Sequence, residues 1–177
     1  ATIDGQTPAG GNGVFTYQWQ SSTDSTNWTN IAGATGEDYQ PPVAAANVFY
    51  RRVTTSNACS VNSNGVKLTV NALPTGSLSA PASICQYESA TILFTATSGT
   101  GPFRVRATIT APGGGVININ QLVNGNGPST IATIPANSTP GTYTVVFTSL
   151  EDSIGCTQTA GLNTVTIVVN PQPNVTV

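Results

Sequence analysis

Large apolar residues alternate with polar residues along several short segments of the chain. In the first of these, Phe15, Tyr17 and Trp19 are spaced two apart and therefore lie on one face of a strand. We expect that face to enter a core, with Trp19 packed inside a sandwich of two sheets. Comparable runs predict strands over residues 15–20, 47–55, 66–70, 91–97, 103–110, 116–120, 130–134, 142–149 and 162–169.

Turn-forming residues separate these runs and mark the predicted domain ends. Clusters of Gly, Pro and Asn lie between the strands, and nothing indicates βαβ units. Pro74 and Pro171 each follow an alternating run, and proline ends a strand ladder because it has no N–H to donate. The sequence therefore predicts an all-β chain of two tandem immunoglobulin-like antiparallel β-sandwich domains, residues 1–72 and 73–170. Residues 171–177 are predicted to be a linker or the start of a next repeat.

The composition argues against several classes of function. The 177 residues include 5 Lys and Arg, 7 Asp and Glu, and no His. Without a basic patch we expect no nucleic-acid partner, and without His there is no Ser-His-Asp arrangement and no imidazole zinc site. No apolar run approaches the roughly 18 residues of a membrane span, so we expect no membrane insertion. Because clustered carboxylates are also few, we expect no enzyme activity, no cofactor and no metal site.

The three cysteines bear on the cellular compartment in which the protein resides. Cys85 and Cys156 lie near the two ends of the second predicted domain, and a disulfide between them would imply an oxidising compartment outside the cytoplasm. The alternative is a pair of buried free thiols. Cys59 remains unpaired, and its partner is expected upstream of Ala1, in a first domain that is truncated at its N-terminal end.

Three residues are candidates for contact with a glycan. Trp28 follows a polar turn, and its indole either stacks on a sugar ring or packs over the edge of the sheet. Arg104 and Arg106 share one face of a strand, where they form either a site for an acidic glycan or a solvated face.

Two further arginines are adjacent and must point to opposite faces of their strand. One of Arg51 and Arg52 therefore needs a partner for its charge, and Glu37 or Asp38 is expected to supply a salt bridge.

The first domain resembles a known repeat. The glycine-rich entry at 10–13, the run Phe15 to Gln20, Trp28, and the segment Phe49-Tyr50-Arg51-Arg52-Val53 closely resemble an immunoglobulin-like repeat of very large cell-surface adhesins of gliding Bacteroidetes. The second domain is similar, more loosely, to another repeat type of these adhesins, through residues 83–85, 101–103 and 150–156. Ser25 and Ser153 follow Asp in short segments that resemble the O-glycosylation sites of this group of bacteria.

The resemblance implies a function outside the cell. We expect a non-catalytic segment of a long secreted adhesin filament at the bacterial cell surface, acting as a structural stalk or adhesion module and belonging to gliding-motility proteins. Its partners would be neighbouring repeats of the same chain and surface polysaccharide, and the chain itself is expected to be a monomer. The alternatives are a carbohydrate-binding module and accessory domains of a secreted hydrolase.

Overall fold

A computed structural model describes residues 2–174 of the chain. Two compact units form, unit 1 from Ala1 to Asn71 and unit 2 from Ala72 to Val177. The described residues form β-strands joined by turns and extended segments, so the all-β prediction is confirmed. The expected start of another repeat falls partly on residues 175–177, which lie outside the described residues.

Unit 1 contains one five-stranded sheet in the order β2-β1-β3-β4, with β5 also paired to β3. All of these pairs are antiparallel. The strands are β1 (Thr16–Ser22), β2 (Thr29–Asn30), β3 (Val48–Ser56), β4 (Cys59–Asn62) and β5 (Val66–Leu68).

The alternation in β1 has the predicted consequence. Trp19 lies opposite Arg52 and Tyr17 lies opposite Thr54, so these side chains share one face of the sheet. Trp19 is 3% exposed, so its predicted burial is confirmed, but the predicted second sheet is not formed around it, because the described strands of unit 1 belong to one sheet. Tyr39 covers this face: its ring lies 5.6 Å from that of Trp19 and 5.5 Å from that of Tyr50, and its backbone pairs with Ile3.

Unit 2 is a sandwich of a six-stranded and a three-stranded sheet. The larger sheet has the order β10-β9-β12-β14-β7, with β13 also paired to β12, and the smaller one has the order β11-β8-β6. The strands are β6 (Thr75–Ser79), β7 (Ser83–Cys85), β8 (Ala90–Ser98), β9 (Phe103–Thr110), β10 (Val116–Val123), β11 (Ser129–Ile134), β12 (Gly141–Glu151), β13 (Thr157–Gln158) and β14 (Thr164–Asn170).

The core of unit 2 lies between these sheets and follows from period-2 alternation. Alternate residues of β8, as far as Ala96, and of β9 are buried, among them Ile92, Phe94, Phe103 and Val105. Phe94 is fully buried, and its ring lies 6.1 Å from that of Phe103 and 5.8 Å, edge to face, from that of Phe147. Such aromatic pairs stabilise a core beyond the apolar area that they bury.

The chain enters and leaves unit 2 at opposite ends of the larger sheet. Pro74 is fully buried beside Gly99, whose φ of +104° and close approach to Pro74 leave no room for a side chain. This end of the sandwich also holds the C-terminal end of β12, because Arg104 lies opposite Glu151. At the other end, Val169 lies opposite Gly141, the first residue of β12. β12 runs between these two ends of the sandwich and spans about 30 Å, at roughly 3.4 Å per residue.

The predicted Cys85–Cys156 disulfide is wrong, since both cysteines are free. Cys85 pairs with Asn170, beside the first residue of β12. Cys156 ends the turn that follows β12, and its N–H donates to the Asp152 Oδ1 at 2.9 Å. The length of β12 therefore separates the two thiols, whereas a disulfide needs Cα atoms within about 7 Å. Cys85 and Cys59 are also exposed, not buried.

We expect thiol titration of the purified chain to find three reactive cysteines without prior reduction. Reductant should leave the thermal unfolding of unit 2 unchanged, because no covalent loop constrains its unfolded state. Calorimetry with and without reductant, together with peptide mapping, makes the measurement. A mapped Cys85–Cys156 linkage would contradict the strand arrangement of unit 2.

Candidate functional site

Arg52 lies at the centre of unit 1 and is 6% exposed. Its guanidinium lies 4.5 Å from the ring of Tyr17 and 6.0 Å from that of Trp19, at distances typical of cation–π contacts. It donates to two backbone carbonyls, that of Glu37 at 2.7 Å and that of Gln6. The Gly5 backbone is so close that a Cβ there would overlap the guanidinium.

The expected salt bridge from this arginine pair to Glu37 or Asp38 is not formed. Among residues 2–174, Glu151 is the acidic residue whose carboxylate lies within 4.0 Å of an arginine, and its partners are Arg104 and Arg106. Asp38 instead accepts a hydrogen bond from the Gly5 N–H at 2.7 Å. Carbonyl dipoles and aromatic faces therefore stabilise the charge of Arg52 in place of a carboxylate, and the two carbonyl bonds tie the N-terminal segment and the segment around Glu37 to β3.

A groove of about 670 Å³ lies over this face of the sheet. Trp19, Arg52 and Thr54 form its floor, and Asp4, Val61 and Ser63 are among the residues of its walls. Cys59 is exposed at the start of β4, close to Phe15 and Val61 in an adjoining groove.

Trp28 and Arg51 contact one another on the opposite face of the sheet. The Arg51 guanidinium lies 4.4 Å from the centre of the Trp28 ring, and its Nε donates to the Gln20 Oε1 at 2.7 Å. The Trp28 indole N–H donates to the Ser25 carbonyl at 3.2 Å. Because Arg51 covers one ring face, the indole packs over the sheet and does not present that face to a sugar.

Asp24 organises the turn between β1 and β2. Its Oδ1 accepts hydrogen bonds from the Asn27 N–H and the Thr26 N–H, both at 2.8 Å, and from the Ser22 hydroxyl at 2.9 Å. The Asn27 side-chain amide donates to its Oδ2 at 2.7 Å. These donors, the Asn27 N–H foremost, hold the pKa of the Asp24 carboxyl well below its usual range. Ser25 is exposed in this turn, with a φ of +63°.

Arg104 and Arg106 lie on the outward face of unit 2 and share one carboxylate. The Glu151 Oε2 lies 3.4 Å from Arg106 Nη2 and 4.0 Å from Arg104 Nε. Arg106 also donates to the Ser149 hydroxyl at 3.3 Å, and Arg104 to the Asn120 side chain at 3.3 Å. The pair thus belongs to a partly neutralised cross-strand network, and these half-exposed ion pairs are weak individually. Ser153 is exposed nearby, and its hydroxyl donates to the Thr100 carbonyl at 2.9 Å.

The pairing of β7 with the last strand of unit 2 was not predicted from the sequence. β7 runs parallel to β14, with Ile84 opposite Val169. The Val168 N–H donates to the Ala82 carbonyl at 3.0 Å, and the Gln86 N–H to the Asn170 carbonyl at 2.8 Å.

The Asn163 side chain adds a second link between the ends of unit 2. Its Oδ1 accepts from the Leu78 N–H at 2.9 Å, and its Nδ2 donates to the Leu78 carbonyl at 2.8 Å. Both polar groups of one β6 residue are therefore bound by the residue that precedes β14. Asn163 lies inside the predicted strand 162–169, and nothing in the local sequence identifies its partner.

Two further features are absent from the described part of the chain. Residues 2–174 contain no group of three or more Cys, Asp or Glu side chains placed to hold a metal ion. In the same part of the chain, no helix has the length and apolar character required to cross a membrane.

Substitution of the two adjacent arginines should separate their roles. Arg52→Lys is expected to destabilise unit 1 by about 2 kcal/mol, because an ammonium cannot reproduce the planar contacts and both carbonyl bonds. Arg51→Lys, on the solvent face, should cost less than about 0.5 kcal/mol. Denaturation followed by tryptophan fluorescence measures unit 1 alone, since both tryptophans, Trp19 and Trp28, lie there. Equal losses in the two variants would refute the central role of Arg52.

The Asp24 turn predicts a pH dependence of unit 1. A carboxyl whose folded-state pKa is depressed contributes stability above its unfolded pKa of about 4, and this contribution is lost as the pH falls below that value. We therefore compare denaturation midpoints, measured by tryptophan fluorescence, at about pH 6 and about pH 3, on either side of this pKa. The midpoint should fall more for the wild type than for Asp24→Asn. Asp4→Asn, which changes another exposed carboxyl, serves as the control and should retain the wild-type pH profile.

The comparisons with known proteins find one similarity, which lies over unit 1. Residues 1–72 match a family model described as a domain of unknown function (DUF8696). No curated protein matches the chain. The chain is thus similar to this family over unit 1 and the first residue of unit 2.

Proposed function

We propose that the chain is a non-catalytic, load-bearing segment of a secreted bacterial cell-surface adhesin. The observation that carries this proposal is the position of the two ends of unit 2. Pro74 is anchored at one end of the sandwich and Asn170 lies at the other, about 30 Å away along β12. A module with its ends so placed transmits tension along its strands.

The pairing at these ends suits that role. Tension applied at Pro74 and Asn170 pulls β6 and β7 in one direction along the sandwich and β14 in the other. Because β7 and β14 are parallel neighbours, their hydrogen bonds then lie across the direction of pull and share the load. A hairpin pulled at its open end instead breaks its bonds one after another.

The two hydrogen bonds of the Asn163 side chain resist the same tension. They join Leu78 in the first strand of unit 2 to the start of the last strand, so these strands cannot slide apart until both amide bonds break. These are buried or half-buried groups, and an unpaired polar group left there costs about 1–3 kcal/mol.

The cell-surface part of the proposal rests on the resemblance of residues 3–70 to adhesin repeats, and gliding motility rests on it too. The cysteines give it no support, because unit 2 holds no disulfide. Carbohydrate binding gains no specific support either, since Arg51 covers the Trp28 ring and Glu151 lies beside both Arg104 and Arg106.

Single-molecule stretching of the full chain tests the proposal. Handles at Leu73→Cys and Gln172→Cys, in a chain with the native cysteines replaced by Ser, load unit 2 from its ends. Handles at Pro102→Cys and Asn124→Cys load the open end of the β9–β10 hairpin instead. We expect a several-fold higher unfolding force for the first pair of handles. Equal forces would overturn the load-bearing role.

A matched pair of variants examines the amide link. Asn163→Ala should lower the unfolding force measured from the ends, because both Leu78 bonds are lost. Asn118→Ala, on the edge strand β10, should leave that force unchanged. Thermal unfolding of both variants establishes that they fold.

A further inference from the structure

One edge of the larger sheet of unit 2 is open. β10 pairs with β9 along its whole length, with Val116 opposite Thr110 and Val123 opposite Phe103, and the register contains no shift. In the described part of the chain, no strand is hydrogen-bonded to its other edge. A row of backbone N–H and C=O groups along such an edge is a template for another strand.

The other edges of unit 2 are protected by features that β10 lacks. β11 and β6 both have register shifts where they pair with β8. β7 is only three residues long. β10 has eight residues with the sequence VININQLV, without a charge or a proline. Proteins usually block edge strands with charges, prolines, bulges or short length, so β10 is an exception.

Apolar side chains are exposed along the same strand. Val116 is 58% exposed, Ile117 55% and Leu122 51%. Ile117 points to the inner side of the sheet, since it lies opposite the buried Ile109, yet the smaller sheet does not cover it.

When β10 is paired with an antiparallel second copy of itself, one register places similar residues opposite each other. In an antiparallel pair, opposite residues alternate between hydrogen-bonded and non-hydrogen-bonded pairs. A two-fold axis preserves this alternation only if one residue lies opposite the same residue of the second copy. With Ile119 on the axis, Val116 faces Leu122 of the second copy and Asn118 faces Asn120 of the second copy. Apolar then meets apolar and amide meets amide, and only Ile117 and Gln121 form a mixed pair.

We propose that β10 pairs antiparallel with β10 of a second copy of this chain, so that two six-stranded sheets become one continuous sheet. β10 itself carries no charge, and its exposed apolar residues gain partners. An interface of seven residue pairs buries less than the ~800 Å² per partner of a standard complex, so the dimer is weak and depends on concentration. β10 is not one of the strands β6, β7 and β14 that are proposed to carry tension, so the pairing does not depend on whether unit 2 bears load.

A charge-pair experiment tests both the surface and the register. In Asn118→Lys/Asn120→Lys, each Lys faces a Lys of the second copy, and we expect sedimentation equilibrium to find only monomer at concentrations where the wild type dimerises. In Asn118→Lys/Asn120→Asp, each Lys faces an Asp, and we expect a dissociation constant at least tenfold lower than that of the double-Lys variant. Both positions are on the solvent face, and circular dichroism verifies that the variants fold.

Two controls make the outcome decisive. Thr130→Lys/Thr133→Lys places the same charges on the bulged edge strand β11 and should leave dimerisation at the wild-type level. In a chain whose native cysteines are replaced by Ser, Ile119→Cys should form a disulfide-linked dimer under oxidation, whereas Ile117→Cys should not. A wild type that stays monomeric at all concentrations overturns the proposal. So does a dimer that the double-Lys variant leaves intact.

Discussion

The architecture of unit 2 depends on the packing of Phe94 between its two sheets. Its ring contacts Phe103 and Phe147 of the larger sheet, and all three side chains are buried. This contact fixes the face that β8 and β9 present to the interior, and the alternation along each strand fixes the rest. Because the sheets are held together in this way, the first segment of the unit can pass from one sheet, as β6, to the other, as β7, without opening the core.

Much of this fold could be predicted from the sequence, because burial on one face leaves a period of two. The β9 strand was predicted with its observed bounds, and the other long strands of unit 2 within about three residues of theirs. β7 was missed because Ser83-Ile84-Cys85 is too short to show alternation. Its pairing with β14 spans most of the unit in sequence and has no local signal.

Side-chain partners were harder to predict than strands. Cys85 and Cys156 lie near the two ends of the unit in sequence, but the strand order also places them at its two ends in space. The opposite faces of Arg51 and Arg52 follow from strand geometry and are confirmed, whereas the partners of Arg52 depend on where loops cross the sheet. Backbone carbonyls can accept the hydrogen bonds of a guanidinium in place of a carboxylate, and residue types alone do not show which of the two will do so.

The absence of a covalent link across unit 2 has a consequence for its extensibility. A folded unit contributes about 30 Å between Pro74 and Asn170, whereas the same segment fully extended reaches roughly ten times that length. The thiols are free, so no disulfide limits this extension. If the chain bears load as proposed, a unit that opens under a sudden pull would lengthen the chain and dissipate mechanical energy, and it could refold when the tension falls.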